Sequence, residues 1–186
     1  MVEFPGLKIT GPLGKGGTAE VARAFSSGFN KEVAVKYPLP DNPESLAQFS
    51  GLAGREHHLI GHLKYPGFVN VLKYSENPCY LLLELCHGQS LDKLGVIDSI
   101  EMLLVVISSI AANFELLRLN KIIDGDLKPH NIFLPSDFPF YESGNLFFSN
   151  ISDFSLGRFE SEPESSRAGH GTVGYAAPEV SAQGKT

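Results

Sequence analysis

Two tracts gather the side chains able to do chemistry. Asp124-Gly125-Asp126-Leu127-Lys128-Pro129-His130-Asn131-Ile132 sets two carboxylates, an ammonium and a carboxamide close together, and Ser152-Asp153-Phe154-Ser155 adds another carboxylate. Upstream, the glycines of Gly14-Lys15-Gly16-Gly17-Thr18-Ala19-Glu20-Val21 would let a hairpin backbone close over phosphates with its N–H groups free. Val33-Ala34-Val35-Lys36 then ends in a cation. Phosphoryl transfer suits such a set, because it needs charge neutralised on the γ-phosphate and a hydroxyl held in line, with little covalent participation by the protein. Each tract taken alone also has a plainer reading. The glycines can be an ordinary tight turn, Lys36 the solvated end of an edge strand, Glu56 a solvated helix residue, and the Asp/Pro/Asn run a turn without chemistry.

The elements that must hold these residues can be read from pattern. Short β-rich runs broken by glycine fill residues 7–36, with Gly28 and Asn30 marking a turn before Lys31-Glu32-Val33-Ala34-Val35-Lys36, which predicts an antiparallel sheet. Leu46, Phe49, Leu52, Leu59 and Leu63 recur at helical spacing, predicting a helix over 44–63 that Pro66 and Gly67 end. Val69–Tyr74 and Tyr80–Leu85 read as strands, the second apolar enough to be buried on both faces, and His87-Gly88-Gln89 reads as a linker. A short helix over 90–94 and a long one over 98–119, capped by Asp98 or Ser99, open the second half. Residues 122–159 alternate apolar runs with Asp, Asn, Gly and Pro, predicting loops and brief strands, and Glu160–Ser166 reads as a mobile loop.

Bulk composition narrows the classes. The 186 residues, 42% of them hydrophobic, are enough for a sizeable core. A formal charge of −6 leaves no basic stripe, so nucleic acid is not an expected partner. Cys79 and Cys86 form no metal-type pair and the first ten residues lack a signal-peptide pattern, so a reducing cytoplasm is expected. The apolar stretch 100–117 carries Glu101, Asn113 and Glu115, which points to a buried helix and not to a membrane span.

In order and spacing these motifs resemble the eukaryotic-like (Hanks-type) Ser/Thr protein kinases. The tract at 124–132 resembles the catalytic loop H-R-D-L-K-P-x-N, Asp153-Phe154-Ser155 the D-F-G metal site and Ala177-Pro178-Glu179 the A-P-E end of the activation segment. The resemblance runs from Leu13 to Val180, and Gly-x-Gly-Gly followed by a small residue looks like bacterial members. It implies an α+β, protein-kinase-like fold: residues 1–86 an N-lobe of antiparallel sheet with one main helix, residues 87–186 a truncated, mainly helical C-lobe. It implies ATP held by Gly14, Gly16, Gly17, Val21, Ala34 and Lys36, with Leu83 as gatekeeper and the backbone near Glu84 and Cys86 facing adenine. Glu56 would pair with Lys36, Asp126 would accept or orient the substrate hydroxyl proton, Lys128 would steady the γ-phosphate, and Asn131 with Asp153 would hold Mg²⁺ or Mn²⁺. Lys-Pro after the aspartate and Gly171-Thr172, the floor for an acceptor residue, imply a protein Ser/Thr substrate.

Departures from the pattern carry expectations of their own. Ala19 replaces the third glycine. Asp124 replaces the histidine that stacks under the D-F-G phenylalanine, and a carboxylate there costs several kcal/mol unless hydrogen-bonded, protonated or exposed. Gly125 replaces the arginine that pairs with a phosphorylated loop, and Ser155 replaces a flexible glycine. The resemblance stops after A-P-E, so the long helix is expected to leave an apolar face that self-association or a partner protein covers, unless the chain is trimmed from a longer protein. The reading favoured is an ATP-dependent Ser/Thr kinase; the alternative is a nucleotide-binding pseudokinase acting as an interaction module. A small-molecule phosphotransferase shares the Asp and Asn logic but not the peptide-acceptor segment. Ser165, Ser166 and Thr172 are candidate autophosphorylation sites.

Overall fold

The computed structural model describes residues 3–39, 43–136, 138, 149–162, 171–172 and 174–176. The chain forms two compact units, Met1–Leu63 with Val69–Leu85 and Lys64–Phe68 with Cys86–Thr186.

The first unit is a five-stranded antiparallel sheet in the order β1-β2-β3-β5-β4, with β1 Leu7–Lys15, β2 Ala19–Ser26, β3 Lys31–Pro38, β4 Val71–Glu76 and β5 Cys79–Glu84, plus one helix, α1, Pro43–Ile60. Alternation sets the β2 face: Ala22, Ala24 and Ser26 are buried while Arg23 and Phe25 point outward. Ala22 and Ala24 join Phe4, Val33, Val35, Tyr80 and Leu82 in one apolar cluster. Residues 79–83 are all buried, as expected for a central strand covered on both faces. In α1 the buried positions Phe49, Ala53, Glu56 and Ile60 follow helical spacing, so a glutamate shares the stripe that faces the sheet. The helix stops at Ile60, three residues short of the predicted end, where the Gly61 N–H closes the last turn on the His57 carbonyl.

The second unit holds α2, Ile100–Leu119, whose start is capped by the Ser99 side chain accepting the Met102 N–H. Around it run short strands: β6 Gly88–Ser90, β7 Ile122–Ile123, β8 Ile132–Pro135, β9 Asn150–Ile151 and β10 Arg158–Phe159. The predicted linker at 87–89 is in part a strand, since β6 pairs with β8 and Gly88 lies so close to the Leu134 carbonyl that a Cβ would collide with it. The predicted helix at 90–94 is a single 3₁₀ turn, Leu91–Lys93.

The buried stripe of α2 is half polar: Val106, Ser109, Asn113 and Leu117. Asn113 Nδ2 donates to the Ser149 carbonyl at 2.8 Å and Ser109 Oγ accepts the Ser149 N–H at 2.6 Å, which ties the stripe to Ser149 within the unit, while Asn113 Oδ1 is buried without a hydrogen-bond partner among the described residues. The opposite stripe, Ile100, Leu103, Leu104 and Ile107, is exposed. By length and composition α2 is also long and apolar enough to cross a membrane.

Candidate functional site

In the first unit the glycine turn is built by register. Gly14 faces Val21 and Lys15 faces Glu20 across β1 and β2, leaving residues 16–18 to turn the corner, and the Gly16 N–H donates to the Ala19 carbonyl at 2.8 Å. The Thr18 carbonyl accepts from the Leu39 N–H and from Ser45 Oγ at the start of α1, which anchors the tip of the turn. Ala19, where the family pattern has glycine, is buried. Val21 lies opposite Lys36, and Ala34 opposite Leu83, so the β2-β3-β5 ladder groups these four of the residues expected to line a nucleotide.

Lys36 leaves β3 toward α1 and its Nζ lies 3.0 Å from Glu56 Oε2. The Glu56 side chain is only 1% exposed, so the solvated-helix reading does not hold: a carboxylate on the buried stripe is tolerated because an ammonium meets it. At the end of β5, Glu84 accepts from Lys31 on one oxygen and from Asn70 on the other, and its N–H donates to the Asn70 carbonyl. Leu83 is buried and Cys86 half-buried.

In the second unit a pair of strands brings distant motifs together. Antiparallel pairing of Ile132 with Ile151 sets the residues just before β8 beside those just after β9, and the Ser152 N–H donates to the Asn131 carbonyl at 2.9 Å. Asn131 and Asp153, far apart in sequence, therefore flank one strand end. Asn131 is buried at the close of the 3₁₀ turn Pro129–Asn131, and its Nδ2 donates to the Asp126 carbonyl at 3.2 Å. Asp153 has φ +63°, a left-handed conformation that costs a non-glycine residue energy and is characteristic of functional sites. Phe154 is fully buried and meets Phe68 edge-on, with ring centroids 5.8 Å apart.

Asp126 is bonded on both carboxylate oxygens. Oδ1 accepts from the Thr172 N–H and hydroxyl, each at 2.8 Å, and Oδ2 accepts from Lys128 Nζ at 2.5 Å. Lys128 Nζ also donates to the Thr172 hydroxyl at 2.7 Å. A carboxylate, an ammonium and an alcohol thus converge within hydrogen-bonding distance, the geometry needed to orient a hydroxyl and accept its proton.

Asp124, expected to be costly if buried, is 5% exposed. Its Oδ1 accepts the Asp126 N–H at 2.8 Å, and burial pushes its carboxyl up to about 6, with the charges of Asp126 and Asp153 adding to the rise and the Asp126 N–H and Lys128 opposing it. Hydrogen bonding and easier protonation together relieve the burial. At Gly125, φ is +89° and a Cβ would run into the Leu156 carbonyl, so this backbone admits no arginine without rearrangement.

Sequence reasoning did not foresee the double grip of Thr172 on Asp126 and Lys128, nor Phe68 as the neighbour of Phe154. Gly171-Thr172 was visible as an acceptor floor, but nothing local ties it to a residue 46 positions away. Ser165, Ser166 and Ala177-Pro178-Glu179 lie outside the described residues, as do 163–166 of the Glu160–Ser166 loop.

The donor set fits a hard divalent cation that also takes substrate phosphate oxygens. Asn131 and Asp153 offer one carboxamide and one carboxylate, and the described residues contain no cluster of three or more His, Cys, Asp or Glu that would make an all-protein cage.

The sequence pattern of the protein kinase domain matches residues 7–186. L-type lectin-domain containing receptor kinase V.5 of Arabidopsis thaliana is 29% identical over 196 residues, covering 97% of this chain and 27% of that protein. The V.7 protein of the same plant is 28% identical over 200 residues, covering 97% and 28%. The chain spans roughly a quarter of the length of these curated relatives.

Proposed function

We propose that this chain, which belongs to the protein kinase family, transfers the γ-phosphate of ATP to a serine or threonine hydroxyl of a protein. The observation that carries the reading is the convergence of Asp126, Lys128 and the Thr172 hydroxyl. A threonine side chain already sits where an acceptor hydroxyl would meet a proton-accepting carboxylate and a cation. In this reading Asp126 orients the acceptor and takes its proton, and Lys128 offsets charge on the transferred group. Lys36, held by Glu56, grips the α and β phosphates below the glycine turn of Gly14, Gly16 and Gly17, with Val21, Ala34 and the backbone at Glu84 and Cys86 against the base. Asn131 and Asp153 would hold Mg²⁺ or Mn²⁺. That ion, when bound, neutralises developing charge on the phosphate oxygens.

Cover for the exposed apolar stripe of α2, by a second copy or a partner protein, belongs to the same proposal, as does a cytoplasmic setting in which Cys79 and Cys86 stay reduced. The polar stripe of α2, bonded to Ser149 within the unit, supports a helix of the domain over a membrane span. The test is transfer of radiolabelled γ-phosphate from MgATP to the chain itself and to a generic basic protein. Incorporation lost in both Asp126→Asn and Asp153→Asn supports the kinase reading. ATP binding without incorporation refutes it in favour of a nucleotide-binding module.

A further inference from the structure

Asp124 does something the transfer chemistry does not call for. Its Oδ1 accepts the N–H of the residue two positions on, closing a turn in which a side-chain oxygen stands where a backbone carbonyl would otherwise be. Gly125 supplies the positive φ of that turn, and the close approach of the Leu156 carbonyl leaves no room for a side chain at the middle position. Asp126 is therefore fixed from two sides. Asp124 holds its amide, while Thr172 and Lys128 hold its carboxylate. Asp124 is also buried, so no water competes freely for the acceptor oxygen that the amide needs.

We infer that Asp124 is a positioning residue for phosphoryl transfer, its carboxyl oxygen holding the Asp126 amide so that the Asp126 carboxylate is aimed at the acceptor hydroxyl. The inference rests on the reading of Asp126 as the group that receives the acceptor proton. It assigns the hydrogen-bond acceptor, and not the negative charge, as the part of Asp124 that matters. Two substitutions separate these. Asp124→Asn keeps an acceptor oxygen and removes the charge, whereas Asp124→Leu removes both and puts an apolar group of similar size in a buried place.

The experiment measures kcat, KM for ATP and thermal midpoint on the full chain for the wild type and both variants. The leucine variant is expected to melt no lower than the wild type yet lose about 10- to 100-fold in kcat with KM for ATP within about twofold, the pattern of a misaimed group and not of lost binding. The asparagine variant is expected to keep kcat within about threefold. A leucine variant as fast as the wild type, or an asparagine variant as slow as the leucine one, overturns the inference. Amide hydrogen exchange at Asp126 reads the contact without activity: protection in the wild type and asparagine variant that is lost with leucine supports it, and equal protection in all three overturns it. Should the leucine variant not fold, Asp124→Ala takes its place in both measurements. A wild-type chain that binds ATP and transfers nothing refutes the kinase reading itself, and the exchange comparison still decides the contact.

Discussion

Replacing Asp124 by asparagine should make the chain more stable, and more so as the pH rises. The Asp124 carboxyl is displaced from its usual 3.8 to about 6, chiefly by burial. Below pH 3.8 it is protonated in the folded and unfolded chain alike and costs nothing. Between 3.8 and about 6 the unfolded chain ionises first, so stability falls as pH rises, and above about 6 the whole penalty is present. A displacement of that size corresponds to about 3 kcal/mol at neutral pH, of which about 1.4 kcal/mol develops between about pH 5 and 8. Asparagine keeps the acceptor for the Asp126 N–H and cannot ionise. Urea unfolding of both chains at half-unit pH steps, with EDTA present so that no divalent cation bears on Asp153, gives the difference directly. The gap in favour of asparagine should widen by about 1.4 kcal/mol from about pH 5 to 8. A gap that stays constant or narrows over that range refutes burial of an ionisable Asp124.

Other substitutions probe the remaining contacts. Lys36→Ala removes the ammonium that meets the buried Glu56 carboxylate and should cost about 3 kcal/mol in unfolding free energy along with transfer activity, while Lys36→Met combined with Glu56→Leu should recover the stability without the activity. Gly125→Arg, which restores the family's usual residue, should lower stability by about 2 kcal/mol or more, because the backbone there has φ +89° and abuts Leu156; a thermal midpoint equal to the wild type contradicts this packing. Asn113→Ala leaves the Ser149 carbonyl without its 2.8 Å donor in a buried setting and should cost about 2 kcal/mol in chemical denaturation.

Much of the fold and site was legible because it is encoded locally. Strand alternation over residues 31–36, the helical recurrence of Phe49 and Leu59 and the turn formers at 28–30 each act over a few residues, so pattern alone places β3 and α1 and a sheet within residues 7–36. The residue types of phosphate transfer are likewise written in short runs, and their order along the chain was enough to suggest the protein kinase family, to which the domain match assigns it. Tertiary structure decided what depends on burial and on distant partners. Glu56 looks like any helix glutamate until its side chain is enclosed beside Lys36, and Gly88 looks like a linker residue until β8 passes against it. The state of Asp124 could not be read at all. The same carboxylate is harmless in water and raised to about 6 when buried, and only the folded chain sets the desolvation and the Asp126 N–H and Lys128 charge that oppose it. The grip of Thr172 on Asp126 belongs to the same class. Sequence lists the groups, but hydrogen bonds between residues 46 positions apart exist only once the backbone has brought them together.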